Sequence, residues 1–204
     1  IRERGGRTHA KVLNERTINA IHSEVYGSVE VGSTIYSDDH GKTWKAGEIP
    51  LPNEGELGNP NETMITELAD GKVMLVNRNV SKPNRKLITT SADGATKWSK
   101  PYFHDQLWEP ICMASIIAHP SMAGTQIYSN PHTLAKDAQG KEIPVGRGKR
   151  ENLSIKLSRD DGKTWPISKT LEAGPSAYSD LAILPDGSIL CLYEGNKKIV
   201  CARF

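Results

Sequence analysis

"SDDHGKTW" at Ser37–Trp44 and "SRDDGKTW" at Ser158–Trp165 share one pattern, Ser-x-Asp-x-Gly-x-Thr-Trp. A worn copy, "SADGATKW" at Ser91–Trp98, keeps Ser91, Asp93 and Trp98 but has Ala95 and Lys97 where Gly and Thr are expected. The copies start 54 and then 67 residues apart, a size that suits propeller blades of four strands each. The pattern predicts a self-braced turn. Ser and Asp side chains bond nearby backbone N–H groups, Gly takes a positive φ, and Trp packs beneath. A calcium loop of the EF-hand kind would need Glu at its twelfth position, but that position is Pro50 counted from Asp39 and Leu171 counted from Asp160. The boxes are therefore read as structural, with no metal.

Around the boxes, short β-rich runs recur: "TMITEL", "KVMLVNR", "RKLITT", "NLSIKLS", "DLAIL" and "SILCLYE". Turn chemistry separates them, notably at Ala69–Gly71 and Pro185–Gly187, and long helical periodicity is missing. The chain reads as all-β, a β-propeller built from successive hairpins. Its 37% hydrophobic and 25% charged residues suit a folded domain, and its net charge of +2 is too weak to argue for nucleic acid or an anionic membrane. No apolar run approaches the roughly 20 residues of a membrane span. Ile1–Ala10 resembles neither a signal nor a transit peptide, and the chain stops inside the strand-like "IVCARF". Both ends look cut, so residues 1–204 are expected to be part of a longer propeller domain. Cys191 and Cys201 are expected as nearby thiols across a hairpin turning near Asn196, rather than as a disulfide. None of the six histidines pairs with Cys, Asp or Glu at metal-ligand spacing.

The boxes resemble the Asp-boxes of sialidases (neuraminidases), whose fold is a six-bladed β-propeller. This chain would cover about four blades. "NETMITELADGKVMLVNRN" (Asn61–Asn79) resembles the segment carrying a catalytic Glu and, sixteen residues later, a substrate-binding Arg; these fall on Glu62 and Arg78. "RENLSIKLSRDDGKTWP" (Arg150–Pro166) resembles the stretch with another substrate-binding Arg, which falls on Arg150. "GPSAYSDLAILPDGSILCLYE", from Gly174, resembles the segment with the catalytic tyrosine, which falls on Tyr178. "LWEPICMASII" (Leu107–Ile117) is similar to a family pocket-lining loop, with no residue assigned a role. The family's first arginine and acid/base aspartate have no convincing match. Arg2, Arg4 and Arg7 offer only the residue type and are read as solvated charge.

The resemblance implies an exo-α-sialidase hydrolysing terminal α-linked sialic acids from glycoproteins, glycolipids and oligosaccharides, with retention and without a cofactor. It also implies a secreted, periplasmic or lysosomal setting for the parent protein. The chemistry suits the residue types. Sialic acid carries a carboxylate on its anomeric carbon, and an anionic nucleophile about 4 Å away would cost roughly 4 kcal/mol at an effective dielectric of ~20. A neutral phenol avoids most of that cost, and sialidases are a recognised exception with a Tyr nucleophile. Free tyrosine ionises near pH 10, so it needs a base, here Glu62. Small neighbours at Ser176, Ala177 and Ser179 are expected to leave the Tyr178 oxygen open to a pocket. Arg78 and Arg150 would clamp the carboxylate through planar, permanently charged forks.

Each residue has a bland reading when taken singly. "NE" is a common solvated turn, Arg78 and Arg150 could be surface charges, and a Tyr before a hairpin is often a packing residue. Arg147 could contest the assignment to Arg150, while Asp180 and Glu194 are read as structural, in turn bracing and a strand-end hydrogen bond. The alternatives are a sialidase-like propeller that binds glycans without cleaving them, and a scaffold carrying only the boxes. These residues alone are expected to show little activity, because ring closure and the acid lie outside them.

Overall fold

In the computed structural model, residues 9–13, 16–25, 29–139, 142–144 and 148–204 are described; Arg2, Arg4, Arg7 and Arg147 lie outside them. The described residues are all-β, with no helix. The chain divides into two compact units, Ile1–His104 and Asp105–Phe204.

The first unit holds two antiparallel sheets in simple up-and-down order. One runs β1 (His9–Leu13), β2 (Arg16–Val25), β3 (Val29–Ser37) and β4 (Lys45–Ala46). The other runs β5 (Thr63–Glu67), β6 (Val73–Asn77), β7 (Arg85–Ser91) and β8 (Tyr102–Trp108), whose last residues pass the unit boundary. β6 is buried along its whole length and β5 over all but its last residue, so these strands read as continuous apolar runs and not as alternations. Leu51, Ile65, Val73, Leu75 and Leu87 form the core, with Tyr36, Leu57, Trp98 and Phe103 packed against it. Leu51 reaches that core across a backbone bridge to Gly32, where a Cβ would stand 2.8 Å from the leucine Cδ1. Only glycine fits there.

The second unit departs from strict four-strand blades. β9 (Ser115–Ala118), β10 (Gln126–Pro131), β13 (Glu151–Ser158), β14 (Ile167–Ile183), β15 (Ile189–Gly195) and β16 (Lys198–Arg203) form one connected sheet. A separate hairpin, β11 (Leu134–Lys136) and β12 (Glu142–Pro144), interrupts the sequence between β10 and β13. The reason is β14. It pairs β13 through Ile167–Pro175, then pairs β15 through Ser176–Ile183. One continuous strand is thus the fourth strand of one blade and the first of the next, which leaves four blade-like sheets among the described residues. Ile127, Leu153, Ile155, Leu181, Cys191 and Tyr193 make the core.

Each box follows the third strand of its blade, at the ends of β3, β7 and β13. In the first copy, Ser37 Oγ donates to Asp39 Oδ1 (2.7 Å), while Gly41 N–H donates to Ser37 Oγ (2.8 Å). Thr43 closes the turn, donating its N–H to Asp39 Oδ1 and its hydroxyl to Oδ2. Ser158, Asp160, Gly162 and Thr164 repeat these bonds. The worn copy is intact but one residue tighter. Gly94 N–H donates to Ser91 Oγ, and Thr96 donates both N–H and hydroxyl to Asp93, so Gly94 and Thr96 fill the roles expected at Ala95 and Lys97. The extra residue, Lys97, sits at φ 51 before the tryptophan. Packing of the tryptophan beneath the turn holds for Trp165, at 5% exposure, but Trp44 is 40% exposed and donates its indole N–H to Gly41 O.

Candidate active site

Glu62 and Arg78 are joined by hairpin arithmetic. β5 and β6 pair with Thr63 opposite Asn77, so the next rung beyond the strands sets Glu62 opposite Arg78. The backbone confirms the rung: Arg78 N–H donates to Glu62 O at 2.9 Å. Arg78 Nη1 meets Glu62 Oε2 at 2.5 Å, with both side chains about four-fifths buried. Beneath them, Asn77 Nδ2 donates to Asn61 O (3.0 Å) and Thr63 Oγ1 (2.7 Å), and Asn61 Oδ1 accepts the Glu62 N–H (2.7 Å). That buried amide network stiffens the strand ends that carry the pair.

Arg150 and Tyr178 meet in the second unit. The Arg150 guanidinium carbon lies 5.2 Å from the centroid of the Tyr178 ring, within the range of a cation–π contact. Two irregularities deliver them. Asn152, at φ 59, marks a register shift just after Arg150, and its Oδ1 accepts the Gly174 N–H of the facing strand. A second shift falls between Ser176 and Ser179, at the bend where β14 changes partners, and re-aims the residues between them. The small neighbours Ser176 and Ser179 make hydrogen bonds of their own. Ser176 Oγ accepts the Leu153 N–H (2.9 Å), and Ser179 Oγ bonds Ser129 Oγ (2.8 Å), so both brace the bent strand.

The guanidinium of Arg150 also donates to the Ile111 carbonyl. Ile111 is held at φ 56, a costly conformation for a β-branched residue, by a turn in which buried Glu109 accepts the Cys112 N–H (3.0 Å). The resemblance singled out the loop Leu107–Ile117 but not the Ile111 carbonyl, because no residue type signals it. Glu194 Oε2 accepts the Tyr178 N–H (3.3 Å), the strand-end bond expected of it. Asp180 is not a turn brace. It accepts from Ser115 Oγ and so pins β9 to β14.

Burial shifts two other titratable groups of this unit. Full burial, with the Glu109 charge second, pushes the Tyr128 phenol well above its usual value. Burial, with Lys156 second, lowers His132 to about 4, so its imidazole is neutral at neutral pH. A cavity of about 440 Å³ opens beside Arg150, Ser176 and Ala177 and runs to the β15–β16 turn. Tyr178 does not line it; its ring lies under the guanidinium.

The family described as BNR repeat-like domain matches residues 10–191. The chain belongs to that family. Among curated relatives, a sialidase of Micromonospora viridifaciens is 34% identical over 178 residues, covering 84% of this chain and 25% of that protein. Sialidase-3 of Mus musculus is 26% identical, covering 80% of this chain and 46% of that protein. The chain thus spans about a quarter of the length of the first of these relatives. Among solved structures, the Hadza microbial sialidase Hz136 superposes with a TM-score of 0.74 at 26% identity, over 95% of this chain and 36% of that one. The BNR chain therefore has the all-β sialidase propeller fold.

Proposed function

We propose that this chain carries catalytic residues of an exo-α-sialidase, which removes terminal α-linked sialic acids from glycans with retention of configuration. Residues 1–204 then form part of a single propeller domain. Arg78 and Arg150 grip the sugar carboxylate. Tyr178 Oη attacks the anomeric carbon as the bond to the leaving oxygen breaks, and Glu62 takes the phenolic proton. Water then displaces the phenol, which recovers a proton, and free sialic acid departs. The proton for the leaving oxygen is assigned to no residue of this chain. No step calls for a metal.

The observation that supports this reading best is the Arg150–Tyr178 pair, a fixed cation against the one phenol that four ordered motifs single out. Similarity to sialidases over most of the chain supports it independently. In the whole protein, Tyr178→Phe should lower turnover of a fluorogenic sialoside by at least about 100-fold, and Glu62→Gln by about 10²–10⁴-fold. A 2,3-difluorinated sialic acid should leave a mass adduct on the peptide containing Tyr178. An adduct on another residue, or full activity in Tyr178→Phe, sinks the assignment.

A further inference from the structure

The cavity beside Arg150 has a second wall that the proposed chemistry does not use. It is the turn joining β15 to β16, contributed by Asn196, Lys197 and Lys198. This tip is built, not loose. Asn196 N–H donates to Pro175 O (2.9 Å), and its side-chain amide donates to Glu172 Oε1 (2.7 Å). Glu172 Oε2 accepts the Tyr193 hydroxyl (3.2 Å), tying the turn to the core.

Asn196 and Lys197 sit at φ 48 and 64, the left-handed pair of a two-residue hairpin turn. Asn suits its position, but the second place favours Gly, and a lysine there carries a Cβ penalty. The sequence accepts that cost and sets another lysine beside it. Among the described residues neither Lys197 nor Lys198 has an ion-pair partner, and both are exposed at the cavity. Three cationic side chains there face one carboxylate, that of Glu194.

We propose that the β15–β16 turn is an anion subsite adjoining Arg150, which takes a second acidic group on the glycan through Lys197 and Lys198. The second group is a carboxylate of a further sialic acid or a sulfate ester. The preferred substrates are therefore acidic glycans, not those whose remaining sugars are neutral. This rests on the reading of Arg150 as the clamp for the first carboxylate.

The test compares kcat/KM in the whole protein for α2,8-disialyl-lactose and a sulfated sialyllactose, each against 3′-sialyllactose. Lys197→Gly keeps the turn, since Gly relieves φ 64, and is made alone and with Lys198→Gln. The double variant should lower the acidic-to-neutral ratio roughly three- to tenfold, with 3′-sialyllactose changed by less than about twofold. The ratio in the unaltered protein should also fall between 50 and 500 mM salt, and in the double variant it should not. An unchanged ratio in the double variant overturns the subsite, and the arm that responds tells carboxylate from sulfate. If no sialoside is turned over, the proposed activity fails by itself. Calorimetric binding of 3′-sulfolactose then decides the subsite: weakened binding in the double variant upholds it, and equal or absent binding removes it.

Discussion

Asp160 engages both carboxylate oxygens in its turn, and the Thr164 N–H, then the Thr164 hydroxyl, hold its pKa down to about 2 from 3.8. A carboxyl whose folded pKa lies below its unfolded one adds stability above about pH 4, and loses it as pH falls toward about 2. Asp160→Asn should therefore lower the thermal midpoint at pH 7 by roughly 2–6 °C, with the gap closing near pH 2. Calorimetry at pH 7, 4 and 2 checks this; a gap of equal size at pH 2 contradicts it. At this scale much of the candidate site was legible. Glu62 and Arg78, sixteen positions apart, face each other on one rung of a hairpin, so the order of residues alone encodes their contact. The support beneath Arg150 was not legible. Ile111 is a β-branched residue held at positive φ by its surroundings, and local preference points the other way.

Among the turns, the worn box shows where fixed spacing misleads. Its bonds need a donor in the right place, not at a given count, and a one-residue deletion moves Gly94 and Thr96 into those places. Restoring the pattern by Ala95→Gly with Lys97→Thr should give no gain in stability. Thr96→Val should cost about 1 kcal/mol by urea unfolding, through loss of its bond to Asp93. A clear gain from the restored pattern would refute this account of the turn. Strand identities were legible from their apolar runs, whereas the double membership of β14 was hidden, since a strand of 17 residues carries no mark at the place where it changes partners.

Across the molecule, all three cysteines fall in the second unit, as Cys112, Cys191 and Cys201. The hairpin sets Cys201 opposite Leu192 and Cys191 opposite Ala202, so the two thiols point to opposite faces of the sheet. They are near in the fold, as expected, but cannot bond. Cys191 is buried, and that burial pushes its thiol up to about 11, while Cys201 is exposed. An aromatic disulfide reagent at pH 8 should therefore titrate one thiol per native chain and three after denaturation. Two fast-reacting thiols in the native protein would contradict the register. The later thiols should appear only as the second unit opens, which makes them a reporter of that unit alone. The repeating blades were legible in the sequence because the three boxes recur at one structural station, the end of a third strand. The division into two units was not, since no linker composition marks residue 104.

β14 has a consequence for the proposed chemistry. Arg150 precedes the strand that pairs with its first half, and Tyr178 lies on its second half. Guanidinium and phenol are therefore mounted on two paired strands of one sheet, joined where Ser176 N–H donates to Arg150 O (3.1 Å), with no swinging arm between them. Their alignment is settled when the chain folds, and an arriving sugar does not have to assemble it.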